Sequence, residues 1–166
     1  MNKRLAVAFT GPSNSGKTTL ITKVANALIK SGKSVSIIKN DPKDKGQFDT
    51  PGKDSDKFSQ TGAEVIVTSP TRTTYFSKRH KELDKLIDLF GEFDFLLVEG
   101  LKTLPLPRIS IFRENIDEDY YHCMNALAID DSIDPRQENI PDGIDILDLN
   151  NTSQIIDWII KNAKEV

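Results

Sequence analysis

The chain has a single cysteine, Cys123, and only two histidines, His80 and His122, in 166 residues. A lone thiol forms no internal disulfide and no cysteine-based zinc site; Cys123 is expected to be a small buried hydrophobe. The histidines lie far apart with no ligand spacing, so ordinary core or surface roles are expected for both. A basic excess is also missing. The net charge is -3, which argues against a general nucleic-acid binder, since such proteins carry a basic face; a small local phosphate site remains compatible with it. Long apolar runs are absent: nothing approaches the roughly 18 residues of a membrane span. Behind the basic start "MNKR", the apolar run Leu5 to Phe9 is broken by Gly11-Pro12, too short for the apolar core of about 7–15 residues in a signal peptide. These absences lead to the expectation of a cytoplasmic protein without membrane or nucleic-acid partners. There is no repeat, linker or low-complexity tract, and the length suits one domain, residues 1–166.

Leu5 to Phe9, bounded by glycine and proline, reads as a fully buried strand. Leu20, Val24, Ala27 and Leu28 then follow helical spacing, and Gly32 closes that helix. "SVSIIKN" (Ser34 to Asn40) is the next strand. Strand, glycine-rich loop, helix and strand within 40 residues make a βαβ unit, hence a parallel sheet with a right-handed crossover. Asp41 to Lys57 is a long polar loop, functional or mobile in kind, with a short helix ending near Gly62. "AEVIVTS" and "RTTYFSK" read as a hairpin turning at Pro70-Thr71, with Thr73, Tyr75 and Ser77 on one side and Thr74 and Phe76 on the other. Leu83, Leu86, Ile87 and Phe90 mark an amphipathic helix, and Phe93 to Gly100 a buried strand. "RISIFR", "NALAID" and "IDILDL" read as later strands, and a last helix from about Asn151 buries Ile155, Ile156, Ile159 and Ile160. The expected fold class is α/β: a three-layer sandwich, mostly parallel, with a β-hairpin extension, and the loop that follows the first strand makes it the P-loop NTPase type.

Gly11, Gly16, Lys17 and Thr18 match G-x-x-x-x-G-K-[ST]. The match follows a predicted strand and opens a predicted helix, the context that gives it meaning. Glycines let the backbone approach an anion closely. Successive N–H groups, with the positive end of the helix, form a cradle for a nucleotide phosphate. Gly11, Pro12, Ser13, Asn14, Ser15, Gly16, Lys17, Thr18 and Thr19 are therefore the nucleotide-binding candidates. Lys17 is to reach the β- and γ-phosphates, and Thr18 Oγ1 to bind Mg²⁺.

Glu99 ends the apolar strand Phe93 to Val98. Ligands of open α/β sheets bind outside the carboxyl ends of the strands, so an acid there can orient the Mg²⁺ shell, a task more often given to aspartate. Glu99 and Thr18 are the metal candidates; Lys17, Asp41 and Glu99 are the catalytic ones. Asp41, after the second strand, has two readings: a ligand for Mg²⁺ or the attacking water, or a turn-initiating residue before Pro42. Asp49, Lys53 and Asp54 in the polar loop either touch ligand or are solvated. Arg72, Arg79, Arg108, Arg113 and Arg136 are scattered, with no arginine-rich lid.

In order and spacing, "GPSNSGKTT", "IIKND", "DTPGKDS", "TGAEVIV", "LLVEGLK" and "PRISIFR" resemble the molybdopterin-guanine dinucleotide biosynthesis adapter (MobB) family over about residues 4 to 150. The resemblance implies a P-loop α/β fold that binds GTP with Mg²⁺ and hydrolyses it weakly. It also implies a homodimer supporting the molybdopterin guanylyltransferase that attaches GMP to molybdopterin, with molybdopterin itself a further ligand. By position it marks Gly11 to Thr19 and Glu99, with Asp41, Asp49 and Pro51 to Ser55 lining the site. "AIDD" around Asp130 resembles a late strand end near the base. The family often carries a histidine where this chain has Asn40, so no imidazole acts there. Guanine preference rests on the resemblance, because "IKND" is not the N-K-x-D signature. The alternative on the same fold is a stand-alone small-molecule kinase or ATP-dependent ligase, with "LKTLPLPR" contributing to an acceptor site.

Overall fold

The computed structural model describes residues 3–166. The described residues divide into two compact units, one of residues 3–40 and 92–166, the other Asp41–Gly91.

The first unit is built on strands β1 (Leu5–Thr10), β2 (Val35–Lys39), β5 (Phe95–Glu99), β6 (Arg108–Ile111), β7 (Ala126–Ile129) and β8 (Asp145–Asp148). They run in the order β2-β5-β1-β6-β7-β8, and each neighbouring pair is parallel. The register sets Phe9 beside Glu99 and Lys39 beside Glu99, so the carboxyl ends of β1, β5 and β2 finish level. A short last strand, β9 (Lys164–Glu165), runs antiparallel against Leu5 and Ala6.

The central strands are buried on both faces, which is why they read as continuous apolar runs and not as alternating ones. One face carries Val7, Phe9, Phe95, Leu97, Ile109 and Ile111 into a core with Leu20, Val24 and Leu28 of helix α1 (Lys17–Lys30) and Ile155, Trp158 and Ile159 of helix α4 (Thr152–Asn162). A second cluster joins Phe112, Met124, Leu127, Ile129 and Ile133. The buried stripe of α4 is Ile155–Trp158–Ile159; Ile156 is partly buried, and Ile160, expected inside, is 57% exposed. Trp158 takes the place assigned to it, with its indole N–H donating to Asp145 Oδ2 at 2.7 Å. Cys123, expected to be buried, is only half-buried; it ends a 3₁₀ turn (Glu118–Cys123), and its Sγ–H donates to the Tyr120 carbonyl. Among the described residues no helix is long and apolar enough to cross a membrane.

The second unit contains helix α2 (Asp54–Gln60), the antiparallel hairpin of β3 (Val65–Ser69) and β4 (Arg72–Phe76), and helix α3 (Leu83–Phe90). Its turn falls at Pro70-Thr71, as the sequence predicts. Glu64 clips the hairpin base: its Oε1 accepts from Tyr75 Oη at 2.6 Å, Ser77 Oγ at 2.9 Å and Lys81 Nζ at 2.9 Å. These donors, Tyr75 foremost, hold the Glu64 carboxyl down at about 2, from an ordinary 4.5. A carboxylate with a lowered folded pKa stabilises the fold above its unfolded value and loses that contribution as pH falls through the folded one. The clip is therefore expected to be intact at neutral pH and to fail as pH drops from about 4.5 to about 2. A carboxyl NMR titration should place the Glu64 midpoint near the lower value; an ordinary midpoint would remove the clip.

Candidate functional site

The loop between β1 and α1 supplies the cradle. Gly11 has φ 140°, Asn14 64° and Gly16 96°. At Gly11 a Cβ would run into the Ile111 carbonyl and stand 3.0 Å from Ser15 Oγ, so only glycine lets the loop lie this close to β6. Gly16 is the N-cap of α1 in a left-handed conformation and offers no side-chain cap; the first turn holds no acid. The leading N–H groups of a helix need partners from outside it, and here they are left to an anion, which the helix's positive end favours. By contrast α4 caps itself, with Asn151 Oδ1 accepting from Gln154 N at 3.0 Å. Ser15 Oγ is buried with no hydrogen-bond partner. Asn14, Gly16, Lys17, Thr18 and Thr19 line a cleft of about 280 Å³. An uncapped helix opening onto the cleft, with an orphaned hydroxyl in the same loop, is a donor set short of an anionic ligand, and a nucleotide phosphate fits it.

Lys17 Nζ folds back to donate to the Pro12 carbonyl at 2.5 Å, a bond that phosphate oxygens would replace. Burial lowers the Lys17 pKa; Glu99 opposes that shift and Lys39 adds to it. The structure thus brings Lys17 and Glu99 together, with a third group that the sequence did not reveal. Glu99, 13% exposed, takes a 2.9 Å ion pair from Lys39 Nζ. Thr18 stands exposed in the first turn of α1, in the cleft. Thr18 and Glu99 can serve Mg²⁺ jointly with phosphate and water, the usual habit of that ion. Asn40, after β2, donates its N–H to the Glu99 carbonyl at 3.0 Å.

A second missed residue is Arg113, beyond the end of β6. Its guanidinium lies 3.6–3.7 Å from where a Gly16 Cβ would stand, and its Nε pairs with Asp130 Oδ2 at 3.3 Å. Asp130 follows β7, and its pKa is lowered, chiefly by the Ser132 hydroxyl. Asp41 belongs to the other unit. Its carboxylate accepts from Lys45 N at 2.8 Å, Gly46 N at 2.6 Å and Lys43 N at 3.4 Å, which is turn-forming work. Asp49 likewise folds its own loop, accepting from Thr50 N at 2.8 Å and Ser55 Oγ at 3.1 Å.

Residues 6–130 match the family model "Molybdopterin guanine dinucleotide synthesis protein B". The chain is 34% identical to the molybdopterin-guanine dinucleotide biosynthesis adapter protein of Haemophilus influenzae, over 96% of this chain and 90% of that protein. It is 32% identical to a probable adapter protein of Bacillus subtilis, over 74% of this chain and 73% of that one. In three dimensions it resembles the crystal structure of Bacillus subtilis MobB with a TM-score of 0.74, covering 96% of this chain and 98% of that one at 24% identity.

Proposed function

We propose, from the premise that this chain belongs to the molybdopterin guanine dinucleotide synthesis protein B (MobB) family, that it is a GTP-binding adapter of molybdopterin-guanine dinucleotide biosynthesis. Its work is to hold GTP with Mg²⁺ in support of a nucleotidyltransferase that attaches GMP to molybdopterin. The observation that carries the reading is the uncapped, phosphate-ready α1 terminus with Ser15 Oγ orphaned beside it, in a chain whose relatives are named as adapters in that synthesis.

Lys17 binds the β- and γ-phosphates. Thr18 and Glu99 would hold Mg²⁺, Thr18 through its hydroxyl and Glu99 through its carboxylate. Asp41 is a further candidate for positioning water, although its oxygens are already engaged by its own loop. When bound, Mg²⁺ supplies neutralisation of phosphate charge. Hydrolysis is slow in this reading. On the Glu99 side of the cleft the cations are Lys17 and Lys39, and Lys39 is neutralised by Glu99. Arg113, whose guanidinium lies beside Gly16, is paired with Asp130 at 3.3 Å. An arginine finger is worth about 10³–10⁵ in rate, and unassisted hydrolysis of this type runs near ~10⁻⁴ s⁻¹.

Calorimetry with GTP and ATP, followed by stopped-flow phosphate release, tests the reading. GTP should bind more tightly, with turnover well below ~1 s⁻¹, and Glu99→Gln should bind GTP with a weakened Mg²⁺ dependence. ATP preference, or release above roughly 10 s⁻¹ by the protein alone, the pace of a median enzyme, would favour the kinase or ligase alternative.

The adapter is also a homodimer in this proposal. The β3–β4 hairpin is a two-stranded sheet, and Ile66 and Val67 on it are 66% and 42% exposed. Open strand edges are templates for pairing with another chain. Sedimentation should give twice the monomer mass; a monomer at high micromolar concentration would remove the dimer.

A further inference from the structure

Lys39 and Glu99 are the last residues of two neighbouring strands, β2 and β5, and the register sets them side by side. The backbone makes that meeting firm. Asn40 N donates to the Glu99 carbonyl at 3.0 Å. At Gly100 an added Cβ would stand only 3.1 Å from Asn40 Cβ, so the two strand ends lie in close contact. The 2.9 Å bond from Lys39 Nζ to Glu99 Oε1 is thus placed by the sheet and not by a chance choice of rotamers.

The two partners differ in freedom. The Glu99 side chain is 13% exposed and the Lys39 side chain 63%. A carboxylate so far withdrawn from water is costly to leave without a partner. A lysine ammonium rides on a flexible four-carbon stem and is strongly hydrated, so it returns to water readily. Among the described residues Lys39 is the one side chain that bonds to Glu99. The acid is fixed and its cation is removable.

Charge decides when that cation can leave. Lys17 is attracted by Glu99 and repelled by Lys39, so two ammonium groups and one carboxylate share this corner of the site and leave it net positive. A divalent ion approaching by itself meets that charge and an acid already engaged. Nucleotide phosphates reverse the sign of the field, and Mg²⁺ characteristically binds through one or two carboxylates together with substrate phosphates.

We propose that Lys39 is a displaceable counter-ion built into the metal site: its ammonium holds the Glu99 carboxylate in the nucleotide-free protein, yields it only when phosphate and Mg²⁺ are present together, and then turns to solvent. Lys39 is on this account a positioning residue that makes metal binding conditional on nucleotide. The inference rests on the Mg²⁺–GTP reading above.

The test compares the parent, Lys39→Met, Lys39→Arg, Glu99→Gln and the double variant Lys39→Met/Glu99→Gln, all as whole chains, by calorimetry with GTP in Mg²⁺ and in EDTA. The quantity read is the ratio of the two affinities. Lys39→Met should raise that ratio roughly three- to tenfold, the span from an exposed ion pair to a charge-assisted hydrogen bond. Lys39→Arg, which keeps the charge and the bond, should return it to the parental value or below. In the Glu99→Gln background Lys39→Met should move it by less than about twofold, because the partner through which it acts is gone. A lysine that merely attracts phosphate would raise the ratio as much without the Glu99 carboxylate as with it, and that result would overturn the proposal. A parent that binds GTP more tightly in Mg²⁺, with a ratio that Lys39→Met leaves unchanged, overturns this inference alone; a parent that binds no GTP in either buffer overturns the adapter reading with it. A second readout is the NMR carbon resonance of the Lys39 ε-methylene, which should shift when Mg²⁺ and GTP are added together and stay in place with Mg²⁺ alone. A shift with Mg²⁺ alone would remove the condition on nucleotide and the proposal with it.

Discussion

Arg108→Leu is expected to destabilise the protein by about 2–4 kcal/mol, which for a chain of this size lowers the melting temperature by roughly 5–15 °C. Arg108 opens β6 and is 1% exposed, the largest of the fully buried side chains. Its fork serves three carbonyls of a single loop: Nη1 donates to Gly100 O at 2.9 Å, and Nη2 donates to Leu101 O at 3.0 Å and Leu104 O at 3.2 Å. Burial pushes its pKa down, but a guanidinium starts so high that it stays charged in a protein. The loop it holds leaves β5 immediately after Glu99 with two consecutive left-handed residues, Gly100 at φ 88° and Leu101 at φ 49°. A left-handed leucine is strained, and such strain persists only where its surroundings over-determine it. Leucine at 108 would fill much of the volume and satisfy none of the three carbonyls. Lysine would keep the charge without the fork, and an intermediate loss is expected for it. Thermal unfolding by circular dichroism checks the pair; a leucine variant melting within about 2 °C of the parent would show that water replaces the fork freely.

Local chemistry made part of this architecture readable and left the rest hidden. The β1–loop–α1 segment is encoded by neighbours: an apolar run, two glycines that the backbone requires, then helical spacing. Its site follows from the segment alone. Lys39 and Arg113 are different. In sequence they are 22 and 96 residues from Lys17, and nothing near either one marks it. Lys39 reaches Glu99 only because β5 is inserted between β1 and β2, and Arg113 reaches Gly16 only because β6 takes the other flank of β1. Strand order is a long-range property, so the constellation around the P-loop could not be read before the sheet was known. The α4 misassignment is of another kind. Four isoleucines at positions 155, 156, 159 and 160 span too wide an arc for one narrow stripe, and the larger Trp158 claims the interior once Asp145 receives its N–H. Asp41 shows the geometry of its turn-forming reading, because Lys43, Lys45 and Gly46 bring three N–H groups back to it.

Lys17→Ala is expected to weaken binding of Mg²⁺–GTP by at least about tenfold and up to about 150-fold while leaving the fold intact. The lower bound is one charge-assisted hydrogen bond, about 1.5–3 kcal/mol, at about 1.4 kcal/mol per decade of affinity. Little is lost in the free protein. Lys17 Nζ there serves only the Pro12 carbonyl, near solvent, and the apolar contacts of α1 begin at Leu20. The loss therefore falls on the liganded state, in which the lysine exchanges that carbonyl for phosphate oxygens. Removal of Lys17 also relieves its repulsion of Lys39 and removes its attraction to Glu99. Lys39, held 2.9 Å from Glu99, is the cation poised to compensate partially, and the double variant Lys17→Ala/Lys39→Met should fall further than Lys17→Ala alone. Alanine in place of Lys17 also leaves the N–H cradle of the loop intact, so residual binding should remain and should depend more steeply on Mg²⁺. Calorimetry at matched ionic strength reads all three effects. A Lys17→Ala variant that is folded and binds GTP as the parent does would mean that the loop is a structural turn, and the phosphate site would have to be sought elsewhere on the carboxyl edge of the sheet.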